Sequence, residues 1–198
     1  MSTLKDLRPL SPAPFFEVRG KIPKADKKKG FKKGLLPNVT GLSGEGHLVD
    51  VALLWSPVGL YVELKCKLEI EGGDLLDLFI DTRDVKSSNV ITRFCHHFRF
   101  DLSENQGMEV TPFRGEDRHD LADASLFSIK TERKGAEISL PKEILYGFDP
   151  IEFKRLGFSY RFQRKNGEKQ HFNLSSDFFN LEKHPALWAT MELIAELV

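Results

Sequence analysis

Apolar and polar residues alternate with a period of two through the middle of the chain. In the segment 59–70, apolar side chains occupy every second position from Leu60, with charged residues between them. A strand buried on one face shows this pattern. The alternation recurs at 75–81 and 92–100 and in shorter runs up to residue 193, most of them separated by Gly or Pro. Many short strands with regular turns predict an all-β protein, an antiparallel sandwich or barrel.

Turn and helix signals refine this picture. Asn166-Gly167 lies between two short alternating runs, and this pair suits the type I′ turn of a β-hairpin. Helical patterning is confined to a single turn at 142–147 and another at 191–198. We therefore expect much more strand than helix.

The first forty residues have a different composition from the rest. Five prolines interrupt any helix or sheet ladder there, and the segment 24–33 holds six lysines against one aspartate. Such a charge run predicts an extended, solvated loop, with contact to an anionic surface as the alternative. We predict an N-terminal arm over residues 1–40 and one β-domain over residues 41–198.

Composition excludes several classes of protein. Lys plus Arg equals Asp plus Glu at 29 each, so no excess of positive charge indicates a nucleic-acid partner. No apolar run approaches the length of a membrane helix, and no leader pattern is present, so membrane insertion is not expected. Two cysteines are too few for a disulfide framework, which favours a cytoplasmic protein. The sixteen phenylalanines should lie in the core, and for Trp55 and Trp188 packing is favoured over ligand stacking.

The polar sides of the second and third alternating segments hold the first candidate binding residues. Asp77 lies on the polar side of one segment, and Arg93, His97 and Arg99 lie on the polar side of the next. Strands that are consecutive in sequence often pair, which would place these four groups on one face of a sheet. We predict that Asp77 lies within reach of at least one of the two arginines. The set would then either neutralise itself or bind the hydroxyl groups of a ligand.

Two further groups of residues invite chemical interpretations. Asp81, Arg83 and Asp84 lie at the end of the second segment, where they could bind a polar ligand or calcium, although an Arg–Asp pair that fixes a loop is favoured. Cys95-His96-His97 suggests a metal or a nucleophile. Neighbours on a strand point to opposite faces, however, and the chain has neither zinc-ligand spacing nor a nucleotide-binding glycine motif. We predict no metal, no cofactor and no enzyme activity, and an enzyme hypothesis would rest on this triplet and Asp77 alone.

The order of several motifs resembles a known family. The motifs are GLYVELK (59–65), GGDLLDLFIDTRD (72–84), TRFCHHFRF (92–100), AEISLPKEILYGFDP (136–150) and HPALWATMEL (184–193). This series is similar to the family 9 carbohydrate-binding modules and their DOMON-like relatives, and the FIDTRD, RFCHHF and HPALWAT versions resemble a bacterial branch. The resemblance covers about residues 48–193. It implies a two-sheet β-sandwich that binds a ligand without catalysis, in a family whose members are usually secreted.

The same resemblance suggests a ligand site. Asp77 matches the family's strand carboxylate, and Arg93 or Arg99 matches its strand arginine. The two aromatic rings that clamp a terminal sugar in the family would fall near Glu71 and Glu182, where this chain has no ring. The implied function is binding of a carbohydrate or another small polar ligand through Asp77, Arg93, His97, Arg99, Asp81 and Arg83. The alternative is a domain of the same fold without a sugar site, acting as a structural protein or binding a protein partner.

Overall fold

A computed structural model describes residues 18–25, 30–86, 89–110, 117–172 and 180–195. These residues form eleven strands, two short α-helices and four 3₁₀ turns. The strands are β1 (Arg19–Pro23), β2 (Val49–Ser56), β3 (Gly59–Cys66), β4 (Leu75–Asp81), β5 (Cys95–Asp101), β6 (Gln106–Glu109), β7 (Ser128–Glu132), β8 (Gly135–Pro141), β9 (Arg155–Gln163), β10 (Lys169–His171) and β11 (Ala189–Ile194). The helices are α1 (Gly30–Gly34) and α2 (Thr40–Ser43), and the 3₁₀ turns are Ala124–Leu126, Lys142–Ile144, Leu181–Lys183 and Pro185–Leu187.

The strands form two sheets, which confirms the β-sandwich. One sheet has four strands in the order β2-β3-β8-β7. The other has the order β1-β11-β9-β4-β5-β6, with β10 also paired to β9. Strand β4 is central in the larger sheet and pairs antiparallel with β5 and β9, so that Asp77 lies opposite both Arg99 and Arg161. This register determines the charged site described below.

The main core lies between the sheets. Leu76, Leu78 and Ile80 of β4 face it, together with Phe98 and Phe100 of β5. Five of the described phenylalanines are buried in this core, as their lack of a polar tip predicts, and two more pack against it while partly exposed.

A second apolar cluster covers the opposite face of the larger sheet. Phe79 and Cys95 point to this outer face and pack against Leu181, Leu187 and Trp188. The two 3₁₀ turns that carry the last three residues therefore lie across β4 and β5. As a consequence β4 is buried on both faces, although its sequence predicted burial on one face only.

Both tryptophans have packing roles, as expected. Trp55 donates its indole N–H to the carbonyl of Ile194 at 2.9 Å, and Trp188 donates to the carbonyl of Leu181 at 2.8 Å. Each ring is buried with its polar atom satisfied, so neither offers an exposed stacking face.

The segment assigned to an N-terminal arm contributes to the sandwich. Strand β1 pairs in parallel with β11, and Pro23 is tolerated because it lies at the end of an edge strand. The backbone N–H of Ala25 donates to Trp55 at 2.7 Å. The lysine-rich segment was expected to be extended, but its described end, α1, is a helical turn. This turn packs closely on β2, since a Cβ at Gly34 would lie only 2.6 Å from the carbonyl oxygen of Leu53. Residues 26–29 lie outside the described ranges.

The predicted hairpin between β9 and β10 is present, but its turn is not of type I′. Gly167 adopts a left-handed φ of 90°, whereas Asn166 does not have the positive φ that type I′ requires, and the backbone N–H of Gly167 donates to the carbonyl of Arg164 at 3.0 Å. The 142–147 segment contains the expected single helical turn, as a 3₁₀ turn. The helical turn expected at 191–198 was wrong as far as Ile194, because this segment continues the ladder with β1 as part of β11. Within the described ranges, the helices are all too short to span a membrane.

Candidate functional site

The carboxylate of Asp77 is the centre of a buried charge network on the outer face of the larger sheet. Its Oδ1 accepts hydrogen bonds from His97 Nε2 and Arg99 Nε, both at 2.8 Å. Its Oδ2 accepts from Arg161 Nη2 at 2.6 Å and from Arg161 Nε at 2.9 Å. The predicted proximity of Asp77 to one of the two arginines is thus confirmed for Arg99. Arg99 Nη2 also donates to Oδ2, at 3.5 Å, so both oxygens of Asp77 are fully engaged.

Arg161 and Glu182 belong to the same network and were missed by the sequence analysis. Arg161 lies on β9 directly opposite Asp77, and its Nη1 donates to Glu182 Oε1 at 2.6 Å. Glu182 comes from the 3₁₀ turn that covers this face. It occupies one of the two positions at which the family resemblance places a clamp ring, and it holds an ion pair there instead.

The electrostatics favour full ionisation of the network. Burial alone would raise the pKa of Asp77. The hydrogen bonds from His97 and Arg99 and the charge of Arg161 outweigh burial and lower this pKa well below its usual range. Burial likewise opposes the charge of Arg161, but the attraction of Asp77 and Glu182 raises its pKa. Asp77 and Arg161 therefore both stay charged throughout the neutral range.

A cavity of about 280 Å³ borders this network. Its apolar wall includes Ile91, Cys95 and Trp188, and its polar wall includes Arg99 and Glu182. The remaining described lining residues are His96, His97, Val110, Asn180 and Lys183. The side chain of Arg99 is 39% exposed, and Asp77 engages only part of its five N–H groups. The cavity thus combines an apolar surface with charged donors and a carboxylate acceptor.

Three of the predicted site residues lie elsewhere. Arg93 precedes β5 and forms an exposed ion pair with Asp117, so its predicted place beside Asp77 was wrong. Asp81 accepts from the backbone N–H groups of Arg83 at 3.0 Å and Val85 at 2.7 Å, which fixes the turn after β4. The guanidinium of Arg83 stacks over Phe153, 3.4 Å from the ring centroid. The loop-fixing role was expected, but backbone groups, not the Arg83 side chain, are the partners of Asp81.

The residues of the Cys95-His96-His97 triplet do not act as one group. Cys95 and His97 lie on the outer face with Phe79, while His96 stacks on the core residue Phe98. Burial, reinforced by the charge of Asp81, raises the pKa of the Cys95 thiol to about 11. A nucleophilic cysteine requires the opposite shift. The arrangement therefore gives Cys95 no activation.

A larger hollow of about 820 Å³ lies between β1, β9 and β11. Its described lining includes Lys21, Arg83, Lys154 and Arg155, together with Glu152 and Glu192. The Arg155 side chain is 64% exposed, in contrast to the buried charge network beside the smaller cavity. Because that buried network positions the polar groups, we place the candidate site at the smaller cavity.

Comparison with known proteins supports the fold. The chain is similar in structure to a family 9 carbohydrate-binding module from Caldicellulosiruptor kristjanssonii, solved in complex with cellotriose. The TM-score is 0.59 at 14% sequence identity, over 90% of this chain and 95% of that chain. At this identity the likeness shows a shared β-sandwich fold alone. No family model matches the sequence, and no curated protein matches it.

Proposed function

We propose that this protein is a non-catalytic binding domain that takes a small polyhydroxylated ligand, such as a terminal sugar residue, in the cavity beside Asp77. The observation that carries the proposal is the meeting of Arg99, Glu182 and the wall of Trp188 around one cavity. Sugar hydroxyls both donate and accept hydrogen bonds, so they are matched by a guanidinium and a carboxylate held side by side.

The size of the cavity limits the ligand. At about 280 Å³ it lies near the lower end of the roughly 300–1,000 Å³ typical of ligand pockets. One sugar ring is of this size. The likeness to a module solved with cellotriose adds support at the level of the fold.

Within this site we assign two different roles. Arg99 and Glu182 line the cavity and contact the ligand. Asp77 is buried beneath them with both oxygens occupied, so it orients Arg99 and Arg161 and does not touch the ligand. His97 donates a hydrogen bond to Asp77 Oδ1 and so helps to fix the carboxylate.

The experiment is a glycan-array screen followed by calorimetric titration with glucose, cellobiose and cellotriose. Arg99→Ala and Glu182→Gln should each weaken binding about 10–100-fold, which corresponds to the roughly 1.5–3 kcal/mol of a charged hydrogen bond. The matched control is Arg133→Ala, since Arg133 is an exposed arginine in the turn between β7 and β8 that pairs with Glu69. Its binding should equal that of the wild type. Failure of the wild-type protein to bind any glycan, or equal losses in all three variants, would reject the proposal.

A further inference from the structure

Three chemically reactive side chains converge on the inner face of the larger sheet, the face opposite the charge network around Asp77. Glu109 ends β6 opposite Phe98, so it points to the same face as Phe98 and His96. His119 reaches the pair from the segment that follows residue 116. Glu109 Oε1 lies 2.7 Å from His96 Nδ1 and 2.8 Å from His119 Nε2. The side chains are almost completely shielded, at 0% exposure for His96 and Glu109 and 3% for His119.

In each of the two histidine rings, the nitrogen that does not contact Glu109 lies near a backbone carbonyl. His119 Nδ1 lies 2.6 Å from the carbonyl oxygen of Arg93, and His96 Nε2 lies 3.4 Å from that of Tyr146. A carbonyl oxygen only accepts, so a hydrogen on each of these nitrogens satisfies it. In the neutral imidazole of that tautomer the other nitrogen has a lone pair, and both lone pairs point at the same carboxylate oxygen. Three electron-pair donors then face one another, which is an arrangement that a cation can bind.

Protonation of both rings is an unfavourable way to satisfy these lone pairs. It would create two buried imidazolium rings, with centroids 4.3 Å apart, around a single carboxylate. Like charges that are buried together disfavour one another. One divalent cation would replace both protons and bind all three donors. The carbonyl contacts then match the usual surroundings of metal-binding histidines, whose second N–H donates to a carbonyl or a carboxylate.

We propose that His96, Glu109 and His119 form a three-ligand binding site for a divalent transition-metal ion, with Zn²⁺ as the preferred ion and a water molecule as its fourth ligand. Two imidazoles and a carboxylate are ligands that zinc accepts, whereas calcium and magnesium prefer all-oxygen sets. The three donor atoms lie within 4.8 Å of one another. Donor atoms around tetrahedral zinc lie roughly 3.3 Å apart, so the two contacts of Glu109 would each lengthen by about 0.5 Å. The ion would link β5, β6 and the segment 117–122.

A backbone hydrogen bond orients Glu109 within this group. Its second oxygen, Oε2, accepts from the backbone N–H of Ala122 at 2.8 Å, which fixes the carboxylate and leaves Oε1 directed at the two rings.

The direct test uses the full chain, stripped with a chelator and then loaded. Dialysis against Zn²⁺ followed by elemental analysis should give one ion per chain, and Co²⁺ should produce the visible bands of a low-symmetry site. Zinc at about 100 times its Kd should raise Tm by roughly 5–10 °C. A folded wild-type protein that retains no stoichiometric zinc and gives no cobalt bands would overturn the proposal.

Substitutions within the cluster and at a histidine outside it test where the ion binds. His119→Gln and Glu109→Gln should each weaken zinc binding by more than roughly 100-fold, because loss of an outer partner alone costs 10–100-fold. His47→Gln is the control, since His47 is half-exposed and pairs with Asp50 at the four-stranded sheet. It should bind zinc like the wild type. Circular dichroism verifies that each variant is folded, and for a variant that fails to fold the wild-type cobalt spectrum decides. Zinc that is retained by both cluster variants and lost with His47→Gln would show adventitious surface binding and reject the site.

Discussion

The two faces of strand β5 carry two carboxylate-centred clusters that differ in the bases around the carboxylate. On the outer face, Asp77 is surrounded by Arg99, Arg161 and His97. On the inner face, Glu109 is bound by His96 and His119. His96 and His97 are adjacent in sequence, yet they belong to different clusters because neighbouring strand residues point to opposite faces.

The comparison shows that the basicity of its partners determines what a buried carboxylate can help to bind. Guanidinium groups are always charged, so the outer cluster is electrically complete and has N–H groups to spare for a ligand. Imidazoles become cationic only by binding a proton or a metal ion. The inner cluster can therefore be completed either by protons or, as proposed above, by a metal ion. One arrangement suits recognition of a neutral polar ligand, and the other suits metal binding.

The largest expected effect is the loss of the outer carboxylate. Asp77→Ala leaves the buried guanidinium of Arg161 without its main partner, and breaking a buried pair in this way costs about 3–5 kcal/mol. Urea denaturation should show this decrease in the free energy of unfolding. Lys67→Ala, which breaks the exposed pair with Asp50, should cost less than about 1 kcal/mol. A cost for Asp77→Ala as small as that of the control would mean that the network contributes little to folding.

This expectation replaces the simpler one that the sequence suggests. Alternation in β4 indicates one apolar face that carries the packing, so a change at Asp77 would leave the fold intact. The structure buries the opposite face as well, under the segment 181–188. Nothing local in β4 indicates this cover, because it comes from residues about a hundred positions away.

Features that depend on neighbouring residues can be predicted from the sequence, whereas contacts between distant segments cannot. The strands β3, β4 and β5 and the turn at Asn166-Gly167 follow from local periodicity and turn chemistry. The pairing of Asp77 with Arg99 follows from the pairing of consecutive strands. Arg161 is 84 positions from Asp77, and its selection depends on β9 lying beside β4, which local pattern does not specify. His119 is similar, since the segment around it shows no period that would place it at His96.

A second, smaller effect is the acid sensitivity of the outer cluster. The pKa of Asp77 is lowered in the folded protein relative to its ordinary value of 3.8. Its contribution to stability is therefore complete above that value and is lost as the pH falls, because the unfolded chain takes up the proton first. The slope attributable to Asp77 approaches about 1.4 kcal/mol per pH unit below pH 3.8.

Comparison with Asp77→Asn isolates this slope. The asparagine variant is less stable at neutral pH, but it should lose less stability between pH 5 and pH 2.5 than the wild type does. Urea titrations at a series of pH values measure both. Parallel curves for the two proteins would show that the Asp77 carboxylate is not stabilised by its cationic neighbours.

The smallest expected effect is the coupling between the two clusters. Arg99 bonds Asp77 on the outer face, and His119 bonds Glu109 on the inner face. Among the described residues, Arg99 and His119 share no hydrogen-bonding partner. Side chains that share no partner usually contribute additively, so the double variant Arg99→Ala/His119→Gln should equal the sum of the single variants within about 0.5 kcal/mol. The measurement is a double-mutant cycle of unfolding free energies in chelator-treated protein, repeated with zinc. Coupling above about 1 kcal/mol would show that the backbone of β5 transmits strain between His96 and His97, and the two faces would then have to be treated as one site.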